Sequence, residues 1–183
     1  MNAFLRLIFT SDFFYSIFRV TTPLLFASMG AVLSDIAGVP NIALEGMMLI
    51  AAFAGMYFSY VFNSALMGLL FAVLFAVTAA GVMAFFTLYY KTNIILGGIA
   101  INSLASGGTI FFLYLAAHDK GTSVSLPSKV LPNINIPIIG DIPIIGPVIS
   151  GHNVLTYVAV LAVFFTWYLL KKTPLGYHLR AVG

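Results

Sequence analysis

The stretch Gly38–Met48, with the sequence GVPNIALEGMM, interrupts an otherwise apolar chain with a proline, an amide and a carboxylate. A charged side chain at membrane depth costs roughly 2.5–3.5 kcal/mol on insertion scales, so such a residue usually serves a function. A Gly-Pro interruption of an apolar segment is tolerated where the freed backbone groups are buried in protein or line a wet cavity. The stretch therefore predicts a broken transmembrane helix beside a polar pathway.

The composition of the chain is that of a membrane protein. Hydrophobic residues make up 61% of the 183 residues and charged residues only 7%, whereas a soluble domain carries about 25% charged residues. The net charge of +3 is too small to indicate nucleic-acid binding, and the absence of cysteine excludes disulfides and thiolate metal sites. Lipid is therefore the expected solvent of most of the surface.

Apolar segments recur along the chain at lengths near the 20 or so residues that a membrane-spanning helix needs. They predict an all-α polytopic membrane protein with about five transmembrane helices, the second beginning after a break near Gly38–Asn41. Within residues 1–19, polar side chains share one helical face opposite large apolar ones, which predicts an interfacial helix. The predicted crossings are 22–36, 42–62, 65–89, 94–116 and 154–170.

The domain organisation follows from these segments. Residues 118–153 hold most of the prolines and two echoing hexapeptides that begin at Ile136 and Ile142, which predicts an extended or turn-rich loop. Basic residues cluster after the last crossing, and the positive-inside rule then places that end in the cytoplasm and the loop outside. The predicted regions are 1–19 (interfacial helix), 20–117 (transmembrane helices 1–4), 118–153 (extracytoplasmic Pro-rich loop), 154–170 (transmembrane helix 5) and 171–183 (start of a cytoplasmic segment).

Two residues of the break are candidates for function. Asn41 is the expected N-cap of the second crossing, and Glu45 would then lie near the first turn, where the helix dipole favours negative charge. One hypothesis is that Glu45 is a polar element of a substrate path. The alternative is a carboxylate bonded only to the first-turn amides of its own helix.

A second signal lies on the fourth predicted crossing. Gly98, Asn102, Ser106 and Thr109 recur at i, i+4, i+8 and i+11, so they form one narrow helical face of small or hydrogen-bonding side chains. Such a face allows helices to approach closely and to bond across the contact, and packing is its commoner use. It could equally line an aqueous route, so both hypotheses stay open.

The C-terminal residues predict a short helix directly after the last crossing. Thr173 is the expected N-cap and Pro174 the first helical residue. A small amphipathic helix at that place would be a docking element for a partner, although the same residues could simply form a basic tail.

No metal site is predicted, because His118 and His152 lack a matching third ligand. No nucleophile–base–acid set or phosphate-binding motif predicts an enzyme either.

Four blocks of the sequence resemble the permease subunits of bacterial ABC importers. The similarity is greatest to the nucleoside and simple-sugar branch, which is related to the ribose and branched-chain amino acid permeases. The first block, which contains NIALEGMMLI, is the most specific, and the four occur in the order found in the family. They are Ser34–Gly55, Lys91–Ala105, Ile136–Val148 and Thr173–Gly183.

The resemblance implies a multi-pass protein of the bacterial cytoplasmic membrane. It implies a pore formed with a second permease subunit, a cytosolic ATPase that binds the ATP, an extracytoplasmic substrate-binding lipoprotein, and no cofactor in the permease itself. The expected pathway residues are Glu45, Asn41, Asn102, Ser106 and Thr109, and the residues expected to couple to the ATPase are Thr173, Pro174, Leu175, Gly176 and Arg180. Because members of the family continue past this point, the 183 residues are expected to be a C-terminally truncated chain or a fragment.

Two other classes of function compete with this prediction. A stand-alone secondary transporter or channel would use Glu45 as a proton or cation site, and its uptake would survive ATP depletion but collapse with a proton uncoupler. A non-transporting membrane scaffold would show neither solute flux nor an ATPase partner. Nothing in the sequence distinguishes a nucleoside from a simple sugar as the solute.

Overall fold

The structure, a computed structural model, describes residues 11–118, 122–135 and 150–183, and the regular secondary structure of these residues is helical. Five of the helices are long and apolar enough to cross a membrane, so the chain is an all-α polytopic membrane protein. We number the helices in chain order as α1 (Ser11–Ile36), α2 (Leu44–Val61), α3 (Ala65–Tyr89), α4 (Ile94–Ala117), α5 (Val154–Lys172) and α6 (Pro174–Val182).

The observed bounds of α2 to α5 lie within two residues of the sequence predictions. Asparagine side chains begin two of these helices, as the local sequence suggests. Asn93 accepts hydrogen bonds from the first-turn amides of α4, and Asn153 accepts one from Leu155 at the start of α5. The two echoing hexapeptides predicted to form the extended loop lie outside the described residues.

The N-terminal region differs from the prediction of a separate interfacial helix at residues 1–19. Residues 1–10 lie outside the described part, but α1 runs from Ser11 to Ile36 without a boundary near residue 20. Its 26 residues extend roughly 39 Å at about 1.5 Å per residue, which exceeds a hydrocarbon core of about 30 Å. Such a helix can place its polar first turns beyond the apolar core and still cross, so Arg19 need not end it.

Pro23 lies inside α1 and removes one backbone donor from it. The neighbouring Thr22 is buried, and its hydroxyl donates to the carbonyl of Phe18 at 2.8 Å. The carbonyl that loses its usual donor is that of Arg19, four residues before Pro23. The helix nevertheless continues through the proline.

The described chain divides into two compact units. One unit comprises residues 37–130 and contains α2, α3 and α4, with Ala43, Met47 and Met83 at the centre of its core. The helices α2 and α3 meet at Gly68, where an added Cβ would lie 2.6 Å from the carbonyl oxygen of Gly55. Such close backbone contact between small residues is typical of membrane helices.

The other unit comprises residues 1–36 and 131–183 and contains α1, α5 and α6. The buried imidazole of His152 stacks on the ring of Tyr15, with 4.1 Å between the ring centroids. Two helical turns further along α1, the hydroxyl oxygens of Thr22 and Thr156 lie 3.1 Å apart. Because the single hydroxyl hydrogen of Thr22 bonds the Phe18 carbonyl, Thr156 is the donor of this pair. A ring stack and a buried hydrogen bond thus join α1 to the start of α5.

Candidate functional site

The break between α1 and α2 is built from a left-handed glycine and a side-chain turn. Gly38 has φ +73°, a conformation that residues with a Cβ adopt rarely. Asn41 then accepts a hydrogen bond from the amide of Ala43 through Oδ1, at 3.0 Å. This is the arrangement by which an asparagine stabilises a turn. The chain therefore leaves helical geometry between Ile36 and Leu44.

The prediction that Asn41 is the N-cap of α2 is wrong. The N-cap is Ala43, and it provides no side-chain hydrogen bond to the helix. The reason is that Ile42 and Ala43 form a turn before helical geometry begins, so Oδ1 of Asn41 accepts from the amide of Ala43, which precedes the helix. Its Nδ2 lies 3.7 Å from the sulfur of Met47.

The first turn of α2 is capped instead by a residue far away in sequence. Asn102, on α4, accepts a hydrogen bond from the amide of Gly46 at 2.7 Å. Its Nδ2 donates to the carbonyl of Ile42 at 2.9 Å. The amides of a first helical turn have no partner within the helix, and Asn102 satisfies one of them while also holding the turn that precedes the helix. We call this pair of hydrogen bonds the Asn102 clasp.

Two glycines allow the clasp to form. An added Cβ at Gly46 would lie 2.9 Å from Cα of Asn102, and one at Gly98 would lie 3.0 Å from Cβ of Ile42. Both residues are buried. The backbones of the break and of α4 therefore approach as closely as only glycine permits. At the end of the predicted small and polar face that contains Gly98 and Asn102, the side chains pack against the break and the start of α2.

Glu45 is exposed in the first turn of α2, adjacent to the clasp. Among the described residues its carboxylate forms no hydrogen bond to the first-turn amides of its own helix, so the purely local alternative finds no support. At helical spacing Glu45 shares a face with Leu49, Ala52 and Met56. That face leads directly to a cavity.

The cavity lies between α2 and α4 and has a volume of about 430 Å³, within the usual range of about 300–1,000 Å³ for ligand pockets. Its wall combines apolar side chains with three hydroxyl-bearing residues, Ser106, Thr109 and Ser123. The apolar residues that line it are Leu49, Ala52, Phe53, Met56, Ile110 and Leu113.

The two predicted hydroxyl residues in this wall keep capacity for a ligand. The Ser106 hydroxyl donates to the carbonyl of Ser103 at 3.3 Å, and the Thr109 hydroxyl donates to that of Ala105 at 2.7 Å. Because each donates to its own helix, the lone pairs of its oxygen can accept hydrogen bonds from a polar solute. This end of the polar face therefore borders a cavity that a small hydroxylated molecule could enter.

The predicted pathway residues occupy different places in the structure. Ser106 and Thr109 line the cavity. Asn41 lies in the break, and Asn102 binds the backbone of the break from α4. Glu45 lies on the helix face that continues into the cavity. Helix α2 also lines the cavity, and this contribution was not predicted from the sequence. The available signal was the spacing of Leu49 and Met56 from Glu45 on one helical face.

The C-terminal residues form the predicted short helix. Thr173 is the N-cap of α6 and Pro174 follows at its start, although the Thr173 hydroxyl donates back to the carbonyl of Leu169. Gly176 packs so tightly that an added Cβ would overlap the carbonyl oxygen of Leu170. Arg180 donates to that same carbonyl at 3.2 Å. These contacts fix the direction of α6 against the end of α5.

The exposed side of α6 is partly apolar. Leu175 is 53% exposed and Val182 is 82% exposed, and at seven residues' separation they lie on one helical face.

No metal-binding cluster occurs among the described residues. His152 is buried in the ring stack, while His118 is exposed at the end of α4 with φ +56°.

Comparison with protein families and known proteins gives a consistent result. A family model described as the permease component of the branched-chain amino acid transport system matches residues 13–183. The guanosine ABC transporter permease protein NupQ of Bacillus subtilis is 33% identical over 168 residues, covering 88% of this chain and 52% of the relative. No solved structure matches the chain.

Two further relatives have similar coverage. The nucleoside ABC transporter permease protein NupC of Lactococcus lactis is 29% identical over 170 residues, covering 89% of this chain and 53% of the relative. The putative glucose ABC transporter permease protein TsgC13 of Haloferax volcanii is 30% identical over 169 residues, with 90% and 49% covered. The chain spans about half the length of the curated relatives it matches.

Proposed function

Because the chain belongs to the family of ABC transporter permease components of the branched-chain amino acid transport type, we propose that it forms one wall of a translocation pathway for nucleosides or simple sugars. The observation that carries this proposal is the cavity between α2 and α4, with Ser106 and Thr109 in its wall. The solute class follows the names of the relatives, which are a guanosine permease, a nucleoside permease and a putative glucose permease. The membership favours this function over a stand-alone secondary transporter or channel.

The chemistry of the cavity suits such solutes. Nucleosides and sugars carry several hydroxyl groups, which can donate to the oxygens of Ser106, Thr109 and Ser123. Apolar side chains such as Phe53 and Met56 provide the weak, non-directional contacts that suit the flatter faces of a sugar or base. Few strong contacts are an advantage in a pathway, since a solute that is bound too tightly does not leave it.

Glu45 is proposed as the polar residue at the end of this cavity near the break. Its position in the first turn of α2 is favourable for a carboxylate because of the helix dipole. A carboxylate accepts hydrogen bonds from solute hydroxyl groups and can bind a ribose or pyranose diol through both oxygens. Its negative charge is therefore expected to contribute to solute passage rather than to ion binding.

Partners follow from the family and from α6. We propose a second permease subunit, a cytosolic ATPase that binds the ATP and a solute-binding lipoprotein, in a bacterial cytoplasmic membrane. The contacts of Gly176 and Arg180 with the Leu170 carbonyl make α6 a stiff extension of α5. A stiff extension can transmit movement of an ATPase to a crossing helix. The exposed Leu175 and Val182 are the proposed apolar contacts to that ATPase.

The pathway is tested by obstruction of the cavity in the complete transporter. Ser106→Leu should reduce uptake of radiolabelled guanosine or glucose at least tenfold, because the leucine side chain extends into the cavity. The matched control is Ser28→Leu, since Ser28 is an exposed serine on α1 whose hydroxyl also donates to a carbonyl three residues earlier. Equal uptake by the two variants, at equal abundance in the membrane, contradicts the assignment.

The role of Glu45 is tested by removal of its charge. Glu45→Gln keeps the size of the side chain and should lower uptake while membrane insertion stays intact. Asp35→Asn is the control, because Asp35 is an exposed carboxylate at the other side of the break. Unchanged uptake by Glu45→Gln at native expression would show that the charge of Glu45 does not contribute to transport.

The ATPase contact is tested separately. Leu175→Glu should abolish co-purification of the ATPase with the permease, because it places a charge in the proposed apolar contact. Ala181→Glu is the control on the same helix, about 120° away from Leu175 at 100° per residue. Retention of the ATPase by Leu175→Glu would refute the contact.

A further inference from the structure

Asn102 uses both ends of its side-chain amide on the break before α2. Oδ1 accepts from the Gly46 amide and Nδ2 donates to the Ile42 carbonyl, at 2.7 and 2.9 Å. Both partners are backbone groups, one within the first turn of the helix and one before it. An asparagine thereby fixes the direction in which α2 leaves the break.

The surroundings of Asn102 argue against a direct contact with solute. The residue does not line the cavity between α2 and α4. Glycines at positions 46 and 98 bring the backbone of the break against α4. Each end of the amide binds a backbone group of the break, so the break sets the orientation of this side chain.

We propose that Asn102 is a positioning residue of the transport pathway: the Asn102 clasp holds residues 42–46 and α4 as one rigid body and so fixes Glu45 beside the cavity. The inference rests on the proposed function for its link to transport. It assigns Asn102 a role different from the pathway contact that the sequence suggested. Asn102 acts through the backbone of Gly46, which is the residue next to Glu45.

The chemistry of the clasp specifies asparagine. An aspartate at position 102 would keep the acceptor for Gly46 but would place a carboxylate oxygen against the Ile42 carbonyl. A serine would be too short to reach both groups. The tight contact at Gly46 also excludes the longer glutamine. A variant therefore loses at least one of the two hydrogen bonds.

The clasp can be measured with one introduced thiol, since these 183 residues contain no cysteine and the transporter without that thiol gives the background labelling. Met47→Cys provides a reporter, since Met47 is 8% exposed and lies one residue after Gly46. In the complete transporter, Asn102→Asp should increase the rate at which N-ethylmaleimide labels this thiol by about fivefold or more, the effect of losing the hydrogen bond to the Ile42 carbonyl. Asn102→Ser should do the same, and it serves as the second variant if the aspartate prevents folding.

The matched control is Asn93→Asp on the same helix. Asn93 caps α4 only through its acceptor oxygen, which bonds the amides of Ile95 and Leu96. Aspartate retains that oxygen, so labelling and uptake should stay at the parent values. If Asn102→Asp and Asn102→Ser are labelled at the parent rate, the Asn102 clasp does not hold the start of α2, and the proposal is wrong.

The positioning role is measured by a double-variant cycle with Glu45→Gln. If Asn102 acts through Glu45, the pair Asn102→Ser and Glu45→Gln loses no more guanosine uptake than the more impaired single variant. Multiplied losses, or faster labelling with unchanged uptake, overturn the positioning role and leave the proposed function standing. A parent transporter with neither nucleoside nor sugar uptake would instead refute the proposed function and the role in transport, while labelling still decides whether the clasp exists.

Discussion

Replacing Gly46 by alanine should force α2 away from α4. The added Cβ would lie 2.8 Å from Oδ1 and 2.9 Å from Cα of Asn102, and 3.0 Å from the carbonyl oxygen of Ile101. Two of these three atoms belong to the backbone of α4, so rotation of a side chain cannot relieve the overlap. Ordinary contact begins at 3.4 Å, so the helices must separate locally by at least 0.5 Å (3.4 − 2.9).

The expected cost follows from three effects. Overpacking of a close contact costs about 1–3 kcal/mol, and weakening of the hydrogen bond from Gly46 to Asn102 adds about 1 kcal/mol. Alanine recovers about 1 kcal/mol over glycine in helix propensity. The net destabilisation of this contact is therefore about 1–3 kcal/mol, which raises the population of the opened state about 5- to 150-fold.

A thiol at position 105 reports this opening. Ala105 is 2% exposed and lies on α4, about one turn from Asn102. In detergent micelles, maleimide labelling of Ala105→Cys should accelerate about 5- to 150-fold when Gly46→Ala is added, provided that closing is fast relative to labelling. The fluorescence of Trp167 is unsuitable here because this residue, the single tryptophan of the chain, lies on α5 in the other unit.

Gly107→Ala is the matched control for Gly46→Ala. Gly107 lies inside α4, and an added Cβ there would meet nothing within 4 Å. Its substitution should leave labelling unchanged or slow it by up to about fivefold through helix propensity. If Gly46→Ala is labelled at the rate of Gly107→Ala, the reasoning from close backbone contact is refuted.

Substitutions at three further contacts test the structure elsewhere. Ser59→Ala removes a buried hydroxyl that donates to the carbonyl of Lys129 and accepts from its amide, each at 3.0 Å, so trypsin should cleave after Lys129 about 5- to 150-fold faster, for a cost of about 1–3 kcal/mol. Gly176→Ala overlaps the end of α5, so co-purification of the ATPase should fall several-fold. Thr22→Val and Thr156→Val should each cost about 1 kcal/mol in equilibrium unfolding followed by Trp167 fluorescence, and the double variant should cost no more than either single one.

Each of these variants has a control or a contrary outcome. Ser28→Ala removes an exposed hydroxyl and should leave cleavage after Lys129 unchanged, and unchanged cleavage of Ser59→Ala would contradict its anchoring role. Gly81→Ala meets nothing within 4 Å and should retain the ATPase. For the threonine pair, Thr78→Val is the control because its exposed hydroxyl bonds only within α3. Additive costs at Thr22 and Thr156 would show that their hydroxyls do not interact.

The positions of the crossings could be predicted from the sequence because their causes are local. An apolar run of sufficient length forms a helix in lipid, where backbone groups have no other partner. Asparagines at 93 and 153 and the pair Thr173-Pro174 mark helix starts that depend only on neighbouring residues. The break after Gly38 was predicted for the same reason. Two predictions from local sequence were wrong: the N-cap at Asn41 and the boundary near residue 20 in α1. The first depends on the exact residue at which the turn starts, and the second depends on the total length of the helix.

The candidate site could be predicted only in part. The periodicity of Gly98, Asn102, Ser106 and Thr109 showed that they share a face of α4, but it could not show what lies opposite each residue. The surroundings of this face change along the helix. Gly98 and Asn102 pack against the break before α2, whereas Ser106 and Thr109 border the cavity.

The sequence by itself therefore determined the helices, the break and the family of this chain, since each depends on composition, spacing or short motifs. The tertiary structure alone decided which groups the side chain of Asn102 contacts. The partner of Asn102 is 56 residues away, and a hydrogen bond over that separation depends on how α2 and α4 pack. Packing in turn depends on the absence of a Cβ at Gly46 and Gly98, which permits two backbones to meet at a distance that spacing along one helix cannot specify.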